Sequence, residues 1–192
     1  MLKIGSCFSG IGGFELGLEV GLAEGGWPAT TIWQIEQSAF CLQILSRHWP
    51  HAKRYEDVRT IEVETLDPVD ILIGGFPCQD ISFAGSGAGL EGHRSGLFYE
   101  MAKIADVLRP RIWVMENVAA IVADRGIGAV LGKMAELGYD ARWSMLRASD
   151  PLVGAPHRRN RWFCVGWLAD TIGERSQGLQ SARTAPRSTD RA

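Results

Sequence analysis

The sequence predicts an α/β fold of the Rossmann-like kind, a mostly parallel sheet with helices on both faces. Three observations carry that expectation. Short apolar runs of β-favouring residues recur, clearest at 71–73 and 112–115, and such runs belong to strands buried on both faces. Segments with apolar residues at helical spacing, such as Phe14, Leu18 and Leu22, lie between them. Glycine-rich turns follow two of the strands, where an open α/β sheet presents its ligand-binding edge.

The elements follow in order. Residues 2–8 read as a first buried strand that runs into Ser9-Gly10-Ile11-Gly12-Gly13 and then a helix. Such a strand, turn and helix form a cradle: glycines let the backbone approach a ligand, and the helix N-terminus offers free amides. The spacing is not the dinucleotide fingerprint, because Glu15 stands where its third glycine would be. A plain tight turn suits the same residues. Residues 31–35 read as a second strand ending at Glu36, followed by a helix to about Trp49. An acidic residue there is placed to accept hydrogen bonds from ribose hydroxyls, with a solvated surface glutamate as the plainer alternative. Asp57-Val58 is expected at the end of a short third strand, where Asp57 either faces the same ligand or caps the next turn.

Residues 97–108 have helical periodicity and stop before Pro110. The strand at 111–115 delivers Glu116-Asn117 to the sheet edge. Residues 128–137 read as a helix ended by Gly138, and 139–146 and 162–166 as the last strands. From 169 to 192 the composition turns polar, so residues 1–168 are expected to form the folded domain and 169–192 a disordered tail.

With 192 residues, 46% hydrophobic and 22% charged, the chain fits one soluble domain with a sizeable core. A net charge of −2 gives no general attraction to nucleic acid or an anionic membrane. Cys7, Cys41, Cys78 and Cys164 are far apart and make no Cys-x-x-Cys pair, which argues against a disulfide framework or zinc knuckle. The N-terminus reads directly as a strand rather than a signal peptide. No apolar run approaches the ~18 residues needed to span a bilayer. A cytoplasmic protein without membrane contact is the expectation.

Ile71-Leu72-Ile73-Gly74-Gly75-Phe76-Pro77-Cys78-Gln79 is the stretch around which the rest is organised. Two glycines break the strand and Pro77 fixes the backbone, so that one thiol stands out over the sheet edge as a candidate nucleophile. A packed core cysteine is the alternative. Residues 82–96 hold five glycines and Arg94, the composition of either a lid or a slack surface loop. Ala155-Pro156-His157-Arg158-Arg159-Asn160-Arg161 suits a phosphate contact or a solvated rim, with Arg159 and Arg161 expected on one face.

Gly75-Phe76-Pro77-Cys78-Gln79 resembles the nucleophile motif of the cytosine-5 DNA methyltransferases. The resemblance covers most of residues 3–167, with the family's motifs in order: 8–13, Glu36, Asp57, 77–79, 116–118, and the arginines at 159 and 161. It implies S-adenosylmethionine as cofactor, held by Phe8, Gly10, Ile11, Gly12, Gly13, Glu36, Asp57, Val58, Pro77 and Leu97. It also implies double-stranded DNA as substrate, with the target cytosine flipped out of the helix. Carbon 5 of cytosine is a poor nucleophile until a thiolate adds to carbon 6 and makes the ring an enamine. Cys78 is then the attacking group, Glu116 holds N3 and the exocyclic amine, Arg161 holds the ring carbonyl, and Arg159 supports the loop. Gln79, Ser82 and Arg94 are the implied DNA contacts.

Two positions depart from the pattern: His157 stands where glutamine is usual, and Gln37 where an aromatic residue often stacks on adenine. Family members also continue into a target-recognition region and two last motifs beyond the end of this chain, so a complementing polypeptide is an expected partner. The other readings are a non-catalytic cofactor-binding or interaction module and an RNA cytosine-5 methyltransferase. The glycine spacing disfavours a dinucleotide oxidoreductase.

Overall fold

The computed structural model describes residues 1–77, 96–123, 126–151 and 153–168. In chain order the elements are β1 (Leu2–Cys7), α1 (Gly13–Glu24), β2 (Ala29–Ile35), α2 (Ala39–His48) and β3 (Lys53–Tyr55). Two 3-10 turns follow (Val58–Thr60 and Val63–Thr65), then β4 (Ile71–Gly74), α3 (Gly96–Leu108), β5 (Ile112–Val118) and the single-turn α4 (Ala120–Ala123). The last elements are α5 (Gly126–Glu136), β6 (Tyr139–Arg147) and β7 (Asn160–Leu168).

These strands form one sheet in the order β3-β2-β1-β4-β5-β7-β6. Strands β1 to β5 pair in parallel, whereas β7 runs antiparallel between β5 and β6. The chain works outward from β1 to β2 and β3, then returns to β1's other side with β4. That reversal is a topological switch point, and it leaves a crevice at the carboxyl ends of β1 and β4. The loop after β1 and the loop leading to Cys78 are thereby brought side by side.

Both faces of the sheet are covered. On one, Ile4, Ile71, Ile73 and Val114 pack against Phe14, Leu18 and Leu22 of α1, the residues whose spacing marked that helix. On the other, Trp33, Leu72, Trp113 and Met115 meet Phe98, Met101, Ile104 and Ala105 of α3 and Val130 and Met134 of α5. Alternate residues of each strand serve opposite faces, so runs that read as wholly apolar become sheet-centre strands.

Element ends differ from the expectations for local reasons. The third strand stops at Tyr55, because the Asp57 side chain accepts the Arg59 N–H at 3.0 Å and starts a 3-10 turn. Strand β5 continues through Glu116 and Asn117 to Val118, since β7 pairs with it as far as Arg161. Strands β6 and β7 lengthen each other by pairing out to Arg147 and Asn160. The tail at 169–192 and, apart from Gly96, the proposed lid at 82–96 lie outside the described residues. Among the described residues, no helix is long and apolar enough to cross a membrane.

Candidate active site

The loop after β1 is built on left-handed backbone: φ is 59° at Phe8, 55° at Gly10 and 89° at Gly12. Gly12 is needed twice over. Its φ disfavours any side chain, and a Cβ there would overlap the Trp49 indole and lie 3.1 Å from Leu45. The loop is tied down by its own amides: Gly12 N–H donates to the Ser9 carbonyl at 2.9 Å, and Ser9 N–H to the Ile35 carbonyl at 3.2 Å. Glu36, just past β2, finishes the job. One carboxylate oxygen accepts Gly10 N–H at 2.8 Å, and the other accepts Ser38 N–H at 2.8 Å. One acidic side chain thus holds the glycine loop and the start of α2 together.

Beside this clamp lies a cleft of about 180 Å³, lined by Phe8, Ile35, Glu36, Gln37, Glu56, Val58, Pro77 and Leu97. It joins the carboxyl ends of β1, β2 and β3 to the residue before Cys78 and the first turn of α3. Five of the expected cofactor residues therefore share one cavity: Phe8, Glu36, Val58, Pro77 and Leu97. Asp57 turns away into its cap. Its carboxylate pairs with Arg59 at 2.6 Å, and that bond holds the group below the usual carboxylate range. The cleft takes Glu56 and Val58, its two neighbours, instead. Ile11 is exposed at the loop tip, and Gly13 opens α1.

The second half of the site is assembled by β4, β5 and β7. A Cβ at Gly74 would come within 2.8 Å of the Met101 methyl and 2.9 Å of the Cys7 carbonyl. One at Gly75 would come within 2.9 Å of Glu116 Oε2. The glycine pair therefore lets α3 pack closely and makes room for a carboxylate beside the strand end. Phe76 is buried against Phe98, with ring centroids 5.2 Å apart. Asn117, itself buried, donates its side-chain N–H to the Phe76 carbonyl at 2.9 Å and accepts Val118 N–H at 2.8 Å. The backbone two residues before Cys78 is thus fastened to β5.

Glu116 and Arg161 sit diagonally across the β5–β7 ladder, since Glu116 is opposite Phe163 and Val118 opposite Arg161. Glu116 Oε1 lies 2.6 Å from Arg161 Nε, but the Nε–H bond is not aimed at it. This is an ion pair, not a directed hydrogen bond. Each side chain keeps about a quarter of its surface exposed (25% and 24%), so both remain open to a ligand. Arg159 precedes β7 and is exposed. Cys78, Gln79, Ser82 and Arg94 lie outside the described residues.

Asn117 was legible only as part of a Glu-Asn pair; its grip on the Phe76 carbonyl needs the β4–β5 pairing to be seen. Gln37, which stands where an aromatic residue is usual, lines the cleft, and so does Glu56, which had no sequence signal of its own. Cys7 and Cys164 are poor nucleophiles. Burial pushes the Cys164 thiol up to about 11 and Cys7 further still, and thiolate is the reactive form.

Comparison with known proteins agrees with this geometry. The C-5 cytosine-specific DNA methylase family matches residues 2–190. The Type II methyltransferase M.NlaIV of Neisseria lactamica is 30% identical over 177 residues, 87% of this chain and 41% of its own length. M.NgoBI of Neisseria gonorrhoeae is 32% identical over 170 residues, 87% of this chain and 51% of its own. The chain thus spans about half the length of these relatives. Among solved structures, a mutant of Spodoptera frugiperda DNMT2 has the same fold, with a TM-score of 0.70 at 20% identity over 88% of this chain and 50% of that one. A putative DNA modification methyltransferase encoded within an Escherichia coli prophage gives 0.68 at 24% identity, over 89% and 48%. With a family match across nearly all its residues, the chain belongs to the C-5 cytosine-specific DNA methylase family.

Proposed function

We propose that this chain supplies the cofactor-binding and catalytic part of a DNA cytosine-5 methyltransferase, with the part that reads the DNA sequence carried on a complementing polypeptide. S-adenosylmethionine is the cofactor of this family. The cleft suits it. Phe8, Ile35, Val58, Pro77 and Leu97 offer apolar walls to an adenine, and Glu36 spends one hydrogen bond per oxygen on backbone, which leaves lone pairs for ribose hydroxyls. Bound there, the cofactor supplies an electrophilic methyl group.

The single observation that carries this reading is the junction at Pro77. It lines the cleft, Asn117 fastens the preceding carbonyl, and Glu116 reaches Gly75, which supports a catalytic role for the residue next in sequence. In this reading the Cys78 thiolate adds to carbon 6 of a flipped-out cytosine, and electron density moves through the ring toward N3. Glu116 holds N3 and the exocyclic amine, while Arg161 donates to the ring carbonyl. Carbon 5 takes the methyl group, its proton is removed, and the C–S bond breaks to return the thiolate. Arg159 and the residues Gln79, Ser82 and Arg94 serve the loop and the DNA backbone. A net charge of −2 fits a chain that leaves most DNA contacts to the part of such an enzyme beyond the match.

The test is methyl transfer to duplex DNA, measured with this chain plus the portion of a relative such as M.NgoBI that lies beyond the match. Transfer is expected for the wild type, with none for Cys78→Ser and at least a hundredfold loss for Glu116→Gln, the scale of a lost general acid. Full activity of Cys78→Ser would overturn the proposal. Binding of cofactor with no transfer under any complementation would favour a non-catalytic module.

A further inference from the structure

Beneath the glycine loop is a sealed polar cluster that the proposed chemistry does not use. Glu15, in the first turn of α1, is 0% exposed; Gln34 of β2 is 0%, Ser6 of β1 is 1% and Ser9 of the loop is 8%. Ser9 Oγ lies 2.9 Å from Ser6 Oγ. The Glu15 carboxyl faces Ser6, Ser9 and Gln34, yet neither of its oxygens nor either amide atom of Gln34 has a well-formed hydrogen bond. Among the described residues no cation pairs with it. Buried polar atoms left in this state are costly, and they are seldom kept without a task.

We propose that Glu15 is a positioning residue for the cofactor loop, standing against Ser6 and Ser9 from below and thereby setting the amides of Gly10 and Gly12. The inference rests on the cofactor reading of the neighbouring cleft. Ser9 is the keystone. Its N–H is held by the Ile35 carbonyl, its carbonyl receives Gly12 N–H, and its hydroxyl is held within the cluster. Displacing Ser9 therefore displaces Gly10 from Glu36, the residue assigned to the ribose.

Burial raises the Glu15 carboxyl above its ordinary range and favours the uncharged acid, which can donate as well as accept among Ser6, Ser9 and Gln34. Three other titratable groups belong to the elements packed around it. Cys7 is a thiol raised out of reach by burial; Glu19, one turn along α1, is taken up by Thr31 and Trp49; Glu36 is taken up by Gly10 and Ser38.

The experiment compares wild type, Glu15→Gln and Glu15→Leu in two measurements: amide hydrogen exchange of Gly10 and Gly12 without cofactor, and calorimetric titration with S-adenosylmethionine. Gln mimics the uncharged acid, and Leu fills the space without polar atoms. The expected result is wild-type loop protection and affinity for Gln. For Leu, protection and affinity should both fall about tenfold, the effect of one buried hydrogen-bonding contact, in a protein that still unfolds cooperatively. Wild-type protection in Glu15→Leu would overturn the proposal, because mere filling would then suffice. A tenfold loss in Glu15→Gln would overturn it too, because the charged form would then be required. Should the exchange pattern hold while wild type binds no cofactor, the loop role stands and the cofactor reading of the cleft is what fails.

Discussion

Replacing Asn117 with alanine tests how the nucleophile loop is held. The wild-type side chain makes two buried hydrogen bonds, donating to the Phe76 carbonyl at 2.9 Å and accepting from Val118 N–H at 2.8 Å. Each is worth about 1 kcal/mol net, and the stranded Phe76 carbonyl adds about 1–3 kcal/mol because no water can replace the lost donor at a 2%-exposed site. Asn117→Ala should therefore cost about 3–5 kcal/mol by urea denaturation, read as a lower midpoint at unchanged slope. Asn117→Asp keeps the acceptor for Val118 N–H but faces the Phe76 carbonyl with a second acceptor. It should be at least as damaging near neutral pH and should recover in acid, where the protonated carboxyl can donate. Methyl transfer in the complemented enzyme should fall more steeply than stability does, since the released carbonyl is two residues from Cys78. A loss under about 0.5 kcal/mol for Asn117→Ala would refute the idea that this contact fastens the loop.

Gly75→Ala should leave the fold nearly intact, with less than about 1 kcal/mol lost, because the atom it crowds is the tip of the Glu116 side chain. Catalysis should nonetheless fall about a hundredfold, the usual result of moving a reacting group by an ångström; wild-type turnover in the complemented enzyme would contradict this. Gly12→Ala must adopt φ 89° and displace the Trp49 ring, so a loss above about 2 kcal/mol is expected in thermal or urea unfolding. Glu15 gives a pH test. Its folded-state carboxyl is raised above the ordinary 4.5, so the native state binds the proton more tightly than the unfolded chain. The resulting stability is full below about pH 4.5 and is lost as pH rises through the folded value. The urea midpoint of wild type should then fall relative to that of Glu15→Gln as pH is raised, and parallel profiles would show that Glu15 does not titrate in the fold.

The fold was legible because its strands are buried on both faces and read as bare apolar runs, while Phe14, Leu18 and Leu22 marked the covering helix. Strand ends were less legible: nothing local says that β5 continues through Glu116, because the pairing that extends it comes from β7, more than forty residues away. The same holds for the site. Glu36 and the glycine loop follow from position along the chain, and so does the approach of Glu116 to Gly75. Asp57 could be read either as a ligand contact or as a cap, and the adjacent Arg59 is what draws it into the cap. Glu15 registered only as a break in a glycine pattern, because burial beneath the loop depends on Ser6 and Gln34 from two different strands. Arg159 and Arg161 were paired by alternation; the strand starts between them at Asn160, and the Arg159 carbonyl still accepts the Ala148 N–H at 2.9 Å.

The central claim is that a thiol at position 78 stands where cofactor and Glu116 meet over one cytosine. A duplex carrying 5-fluorocytosine at the target blocks loss of the carbon-5 substituent, so the enzyme should be caught after methyl transfer as a covalent complex. Peptide mass spectrometry of the complemented enzyme with this duplex and S-adenosylmethionine is predicted to find the adduct on Cys78 alone. An adduct on Cys41 or another residue, or none despite measured cofactor and DNA binding, would contradict the account.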